Sequence, residues 1–340
     1  MAATSKDVAR LAGVSQPTVS RALRGHPSVA PETRRRVEEA ARALDYVASE
    51  RGRVLSLRKT HRIGIVVSDL TNPFYPHLLA PLHDYFKQAG FRTVLFTEQD
   101  EDGPTIEELA DGSLDGIVLT TSLVDSPLPA ALMHRDIPFV FLNRESDATA
   151  DSAVVDNVYG AALVGDLLVE LGHHRIGAVF GPRAASTGRD RETGFRRSLS
   201  KHGRSLADEL AVSVPFSFSH GRAALGTLLA RSEPPTALFC GNDVIALGVL
   251  DGAVELGVRI PEDLTVVGFD DITIASWAHI GLTTVHCDLD RLARTAGDLL
   301  LKRIADPDRE HVRSIQRPHL VLRRSHARLQ LPSSPSKKEH

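Results

Sequence analysis

Cysteine is nearly absent: Cys240 and Cys287 are the only two in 340 residues. Both stand in apolar segments, A-L-F-C-G and T-T-V-H-C-D. Two lone thiols cannot staple a disulfide framework and lack metal-ligand spacing, so they read as packing residues in a reducing compartment. No apolar run reaches the roughly 18 residues that a membrane-spanning helix needs, and the amino terminus carries no apolar signal region. The expected location is the cytoplasm, away from any membrane. Enzyme signatures are missing too. There is no G-x-x-x-x-G-K-S/T, no G-x-G-x-x-G after a strand, no G-x-S-x-G and no H-E-x-x-H. The stretch 181–188 is glycine-poor between its ends. The adjacent His173 and His174 point to different sides, which speaks against shared metal ligation. These absences imply no cofactor and no metal, and they weigh against nucleotide-dependent and nucleophilic chemistry.

What remains has an ordinary balance, 42% hydrophobic and 24% charged residues, with a net charge of −3 that hides an asymmetry. Residues 1–60 hold twelve Lys/Arg and six Asp/Glu, net +6, which leaves −9 for the rest. A basic amino-terminal module on an acidic body suits phosphate binding by one end only. At 340 residues there is room for one small and one large domain, or three lobes.

Residues 4–24, T-S-K-D-V-A-R-L-A-G-V-S-Q-P-T-V-S-R-A-L-R, read as two short helices around a tight turn. Val8, Leu11 and Ala12 fall on one apolar helical face. Gly13 can take backbone angles that would strain another residue. Ser15 is placed to cap the second helix, and Pro17 sits in its first turn, where the missing N–H costs nothing. Val19, Ala22 and Leu23 repeat the apolar spacing, while Gln16, Thr18, Ser20 and Arg21 face the other way. Small hydroxyls, an amide and a guanidinium suit a helix laid in the major groove of DNA. A plain helical hairpin with a solvated face would look similar.

A third helix opens at P-E-T-R-R-R-V (31–37) and runs to about Tyr46. Its stripe of Val37, Ala40, Ala41 and Leu44 can close a three-helix core. The order and separation of K-D-V-A-R-L-A-G-V-S-Q-P-T-V-S-R-A-L, P-E-T-R-R-R-V and L-D-Y resemble the headpiece of the LacI/GalR family of bacterial transcription regulators. The resemblance continues to about Arg324.

Beyond residue 60 strands and helices alternate. Strands are expected at 62–67, 93–96, 116–119, 139–142, 176–180, 237–240 and 265–269. Helices are expected at 75–89, 157–171, 189–202, 220–230, 243–256 and 289–304. Short apolar strands with amphipathic helices between them imply parallel sheets covered on both faces, and there is more alternation than one sheet needs. The expected fold class is a small all-α helix-turn-helix headpiece plus a two-lobed α/β effector domain like the periplasmic binding proteins. The headpiece is residues 1–47, a hinge 48–60, and the effector-binding and dimerisation domain 61–328. Lobe 1 covers about 61–157 and 286–317, and lobe 2 about 158–285 and 318–328. The chain crosses between the lobes near Asp156, His286 and Arg317. The hinge is too polar and basic for a core, with a short helix expected around 51–57, and the tail 329–340 reads as disordered.

Two-lobed α/β bodies hold small ligands outside the carboxyl ends of their strands. Asn72, Phe74 and Tyr75 follow the first body strand, Asn143 and Arg144 follow F-V-F-L, Asp156 and Asn157 open a helix, and Arg189 lies at a loop-to-helix boundary. Asn242 follows L-F-C-G, and Asp270 follows V-V-G-F. Each has a plainer reading: Asn242 and Asp156 as helix N-caps, Arg144 and Arg189 as surface charges, Phe74 and Phe216 as core. Together they read as a site for a polyhydroxylated ligand. Amides and carboxylates bond adjacent hydroxyls, guanidinium groups add forked donors, and an aromatic ring covers a sugar face. The resemblance implies effector contacts at Phe74, Arg144, Arg189, Phe216, Asn242 and Asp270. The implied effector is a monosaccharide or its derivative, and the two arginines leave a phosphorylated or acidic one open.

The reading is a homodimeric, sugar-responsive DNA-binding repressor and not an enzyme; the alternative is a sugar-modifying α/β enzyme with an accessory DNA-binding domain. A twofold dimer calls for a pseudo-palindromic operator on double-stranded DNA. Gln16 and Arg21 would meet base edges with Pro17 in apolar contact, and Thr4, Thr18 and Ser20 would hold phosphates, Ser15 standing on the same face. Leu55 occupies the place of the family's minor-groove leucine. Three positions depart from the family pattern: Arg24 where Asn is common, Ala48-Ser49 for Pro-Asn, and Gly52 for the hinge alanine. The few residues after Arg324 include Pro332 and Pro335 and cannot sustain a heptad bundle, so a dimer is expected rather than a tetramer.

Overall fold

Thr4 opens the first helix. Its N–H and hydroxyl both bond the Asp7 carboxylate, at 3.0 and 2.6 Å. The helix α1 (Ser5–Ala12) ends at Gly13, whose φ of 66° is the left-handed conformation that glycine adopts without strain. Next come α2 (Gln16–Leu23) and α3 (Pro31–Ala43). The third helix stops short of Tyr46, with Leu44 as its cap. In the computed structural model, residues 3–23, 26–46, 60–97 and 105–329 are described. The readings at Arg24, Ala48, Ser49, Gly52 and Leu55, and those for residues 330–340, lie outside the described residues.

Val8, Val19 and Val37 form the centre of the headpiece core, with Ala9, Ala12, Ala22, Ala40 and Ala41 around them. Leu11 corrects the sequence reading, being 56% exposed. Because α1 packs on both α2 and α3, its buried arc is centred between Val8 and Ala9, and Leu11 falls beyond the edge of that arc.

The chain divides into two compact units, Met1–Thr60 and His61–His340. The second contains strands β1 (Arg62–Val67), β2 (Arg92–Thr97), β3 (Gly116–Leu119), β4 (Phe139–Leu142), β5 (Asp151–Val155), β6 (Ile176–Phe180), β7 (Ala211–Ser213), β8 (Ala237–Cys240), β9 (Thr265–Val267), β10 (Thr284–His286), β11 (Arg313–Gln316) and β12 (His319–Val321). Its helices are α4 (Phe74–Gln88), α5 (Ile106–Leu109), α6 (Leu128–His134), α7 (Asn157–Glu170), α8 (Ser186–Lys201), α9 (Phe218–Leu229), α10 (Asp243–Glu255) and α11 (Leu289–Ala305). One parallel sheet has the order β11-β5-β4-β3-β1-β2 and the other β7-β6-β8-β9, while β10 and β12 form an antiparallel pair. The chain leaves the first sheet after β5 at Asp156, returns to it through β10 and α11, and leaves again after β11.

The five strands that an apolar run announced, β1, β3, β4, β6 and β8, lie where the sequence places them. Strands β5 and β11 carry no such run and are held partly by charge. The fully buried Asp151 carboxylate accepts from Arg303 Nε at 2.9 Å, Arg309 Nη1 at 2.8 Å and the Val312 N–H at 2.8 Å, which fixes β11 beside β5. In the smaller sheet, Phe195 of α8 packs on Phe239 of β8 with ring centroids 4.8 Å apart. Cys240 and Cys287 are buried and unpaired, and burial pushes both thiols up. No described helix is long and apolar enough to cross a membrane.

Candidate nucleic-acid interface and ligand cleft

On the headpiece, the polar side of α2 is organised from within. Ser15 Oγ accepts the Thr18 N–H at 3.4 Å and shares a 2.8 Å bond with the Thr18 hydroxyl. Gln16 Nε2 donates to Ser5 Oγ at 2.8 Å, which ties the start of α2 to α1. Pro17 and Arg21 are exposed and Ser20 is half-buried. Thr4 is exposed, and its side-chain and then its backbone hydrogen bond hold the Asp7 carboxyl below the usual carboxylate range. The result is a row of a guanidinium, an amide and hydroxyls on a short helix, with nothing larger than Arg21 to keep it from a groove.

In the second unit, a cleft forms where strands of both sheets end. From the larger sheet come Asn72, Phe74, Tyr75, Asn143 and Arg144; from the smaller come Thr187, Arg191, Phe216, Asn242 and Asp270. The space between them is about 20 Å³, room for about one water. Several residues serve fold and cleft together. Phe74 and Tyr75 belong to the core and still line the cleft, the Tyr75 oxygen accepting from Ser68 Oγ at 2.7 Å. Asn242 caps α10 by accepting the Ile245 N–H at 2.9 Å. Asn72 accepts the Phe74 N–H at 3.0 Å and donates to the Phe216 carbonyl at 3.1 Å, bridging the two sheets' loops. Two further bonds cross the same gap, Val124 N–H to the Ala184 carbonyl at 2.8 Å and Glu145 N–H to Ser186 Oγ at 3.0 Å.

Arg191 is the hub. It is 3% exposed. Its Nε donates to Asn157 Oδ1 at 2.8 Å, its Nη1 to the Gly241 carbonyl at 2.7 Å and its Nη2 to Asp270 Oδ1 at 2.7 Å. The guanidinium lies 3.8 Å from the ring centroid of Phe269. Burial raises the Asp270 carboxyl and the Arg191 guanidinium opposes that rise. Asp270 has φ 108° and its neighbour Asp271 φ 58°, left-handed values that aspartate tolerates better than most residues. Beneath them the fully buried Asp243 accepts the Ile272 N–H at 2.9 Å and the Thr284 hydroxyl at 2.5 Å, bracing this loop. Burial, and after it the Asp270 charge, push its carboxyl well above the usual range.

Two expected residues do not join the cleft. Asp156 is an N-cap, accepting the Tyr159 N–H at 2.9 Å. Arg189 is exposed and pairs with Asp190 at 2.9 Å. The reason is register: α8 begins at Ser186 rather than at Arg189, and residues two apart on a helix face opposite ways. Thr187, Arg191, Phe195 and Ser198 make the buried stripe of α8, and that spacing was the available signal for Arg191. Asn143 joins the cleft as its place after F-V-F-L suggests, while Thr187, in the first turn of α8, was also missed; a lone threonine carries no pattern of its own.

His173 is buried and structural, bonded to Thr236 Oγ1 at 2.9 Å and to the Ala327 carbonyl at 3.0 Å. His174 pairs instead with Arg204 at 2.6 Å. Among the described residues no cluster of His, Cys, Asp or Glu could hold a metal ion.

Residues 4–49 match the family described as bacterial regulatory proteins, lacI family, and residues 166–326 match the periplasmic binding protein-like domain. The chain is 34% identical over 332 residues to the HTH-type transcriptional repressor PurR of Photorhabdus laumondii, covering 95% of this chain and 96% of that one. It is 34% identical over 329 residues to the ribose operon repressor of Escherichia coli strain K12, covering 95% of this chain and 99% of that one. The fold is similar to that of the lac repressor dimer bound to operator and the anti-inducer ONPF, with a TM-score of 0.84 and 26% identity over 96% of this chain and 100% of that one. These relatives are named as repressors, not as enzymes. The likeness runs through headpiece and body together and at nearly full length in both directions, and the chain therefore belongs to the lacI family of bacterial regulatory proteins.

Proposed function

We propose that this protein is a sequence-specific repressor whose hold on a pseudo-palindromic operator is controlled by a small polyhydroxylated ligand, a sugar or sugar derivative, in the cleft. The observation that carries the reading is the cleft's make-up: polar side chains from the ends of both parallel sheets, arranged around one buried Arg191–Asp270 pair. A ligand bonded to Asn72 and Arg144 on one side and to Asn242 and Asp270 on the other senses how the two lobes are set. The present gap is too small for a sugar, so binding requires the lobes or their side chains to move apart. Such a ligand can shift the protein only by its difference in affinity for the two arrangements.

On the DNA side, Arg21 and Gln16 read base edges, Pro17 makes apolar contact, and Thr4, Ser15, Thr18 and Ser20 contact or order the phosphate-facing edge of the helix. The division of labour follows as residues 1–47 for DNA, 48–60 for the hinge with Leu55 as its groove wedge, and 61–328 for ligand and dimer contacts. The protein acts as a homodimer, one headpiece per half-site.

The test is an anisotropy titration of labelled operator DNA with the full chain, across salt concentrations and with any sugar that raises thermal stability. Expected are a steep loss of affinity with salt and a shift in operator affinity on adding the ligand. Asp270→Ala should abolish that shift and keep operator binding. Turnover of a sugar by the purified protein, with no DNA binding, would instead support the enzyme alternative.

A further inference from the structure

We infer that the ligand of this cleft carries a negative charge, a phosphate monoester or a carboxylate, and that Arg144 receives it. The inference rests on the cleft being the effector site and names the class of effector.

The charged side chains lining the cleft are Arg144, Arg191 and Asp270, which sum to one positive charge. The two arginines differ sharply in their partners. Arg191 spends its donors on Asn157, Gly241 and Asp270, all at 2.7–2.8 Å. Arg144 makes no ion pair with any described residue. Its one protein hydrogen bond is a long contact from Nη1 to the Thr121 carbonyl at 3.5 Å, and its Nε is shut from solvent with no partner. Its guanidinium stands 5.2 Å from the centroid of the Phe216 ring. The Thr121 hydroxyl, in a residue 2% exposed, is likewise without a partner.

Nearby carboxylates are already engaged. Glu145, the next residue, accepts from Arg313 Nη2 at 2.8 Å and from Ser152 Oγ at 2.6 Å. Asp190 is taken by Arg189, and Asp271 by Arg323 at 2.7 Å and His286 at 2.8 Å. Arg144 is placed by its main chain rather than by a side-chain partner. Asn143 before it is left-handed at φ 72°, and the Arg144 N–H turns back to the Leu142 carbonyl at 2.9 Å. A half-buried guanidinium whose Nε is shut from water, in no ion pair of its own and sharing the cleft with an Asp270 already bound by Arg191, is complementary to an anion that takes two of its donors. The hydroxyls of a neutral sugar can accept from Arg144 but bring no charge to offset the guanidinium's, and they suit the opposite wall of Asn242 and Asp270 as well.

The test uses the full chain and matched triples of probes: ribose, ribose 5-phosphate and ribonate; glucose, glucose 6-phosphate and gluconate. Calorimetry gives each affinity for wild type, Arg144→Gln and Arg144→Lys. The expected result is that, in the triple that binds, a charged member is tighter than the neutral one by about tenfold or more. Arg144→Gln collapses that ratio towards one, and Arg144→Lys keeps part of it. Whichever charged member gains identifies phosphate or carboxylate as the recognised group. Equal affinity for neutral and charged members in wild type, or a ratio unchanged in Arg144→Gln, overturns the inference and leaves the sugar reading standing. If no triple binds, inorganic phosphate decides by thermal shift. Stabilisation of wild type but not of Arg144→Gln upholds the anion site and removes the sugar reading. No difference between the two overturns both.

Discussion

The headpiece and the body are held together by different means. Among the described residues, the buried core of the headpiece is made of valine and alanine alone. The body buries Phe86, Phe141, Phe180, Phe195, Phe239 and Phe269, and it also buries charge, in Arg191–Asp270 and in Arg303–Asp151. Small residues let three short helices approach closely, but at about 25 cal/mol per Å² of apolar surface each contributes little. A module of this size is marginal and has nothing to offset a buried ion. Its polar groups accordingly stand outside, on the exposed side of α2. The body has core enough to hold the buried Arg191 guanidinium at a fixed angle.

The comparison breaks most visibly at Arg191. Arg191→Ala leaves Asp270 buried without a counter-ion and takes a donor from Asn157 and Gly241. The expected loss is roughly 3–5 kcal/mol in the body's unfolding transition. Denaturant titration followed by a body-specific probe measures it, and Arg191→Ala with Asp270→Asn should recover part. A midpoint equal to wild type would mean that the pair adds nothing to the body's stability.

The mirror experiment strikes the headpiece. Val37→Ala removes two buried methyl-sized groups at the centre of its core, for about 2 kcal/mol. In so small a module that is enough to lower operator affinity, while ligand binding and the body's transition stay as they were. Hydrogen exchange resolved along the chain should show faster exchange in α1, α2 and α3 alone. Slowed operator binding with unchanged headpiece exchange would show that Val37 acts in some other way.

A surface change in the headpiece should cost specificity without stability. Arg21→Ala is expected to lose about 1–2 kcal/mol of discrimination at one base pair per half-site. Competition between operator and random DNA reads it directly. Equal weakening on both would make Arg21 a phosphate contact.

The smallest effect is a pH dependence confined to the body. Burial lowers the His173 pKa below its ordinary 6.5, against the hydrogen bond to the Ala327 carbonyl that raises it. The folded state therefore takes up this proton less readily than the unfolded chain. The contribution is complete above 6.5 and is lost as pH falls through the depressed folded value. Thermal midpoints between pH 7.5 and 5.0 should fall on the acid side, with a shallower slope in His173→Gln. An identical slope in that variant would assign the acid sensitivity to other groups.

Where an element buries both of its faces, its own residues announce it. R-I-G-I-V-V, G-I-V-L and A-L-F-C became strands because a parallel strand under helices on both sides is apolar throughout. The headpiece helices followed from their capping residues, Gly13 and Pro31, and from apolar spacing, because such signals are local. The strands D-S-A-V-V and R-S-I-Q have no signal of that kind. They are held partly because Arg303 and Arg309 reach across more than a hundred residues to Asp151, and partly by pairing with β4 and with each other. Leu11 shows the same limit from the other side: helical periodicity marks a face, and the arrangement of neighbouring helices decides how far that face extends.

In the cleft, the sequence by itself determined the chemical inventory, and it placed Asn72, Phe74, Tyr75, Arg144, Phe216, Asn242 and Asp270 at the ends of elements from which they could meet. Only the tertiary structure decided which residues do meet. Asn242 and Asp156 are the same device locally, each accepting an N–H three residues on, and only Asn242 faces the cleft. Arg189 and Arg191 are the same side chain two positions apart, and the start of α8 at Ser186 turns one outward and the other into the core. Local sequence sets dihedrals, caps and burial pattern over a few residues. The direction in which a long charged side chain points, and whether it finds a partner there, depends on segments far away in the chain, which is why Arg191 is paired and Arg144 is not.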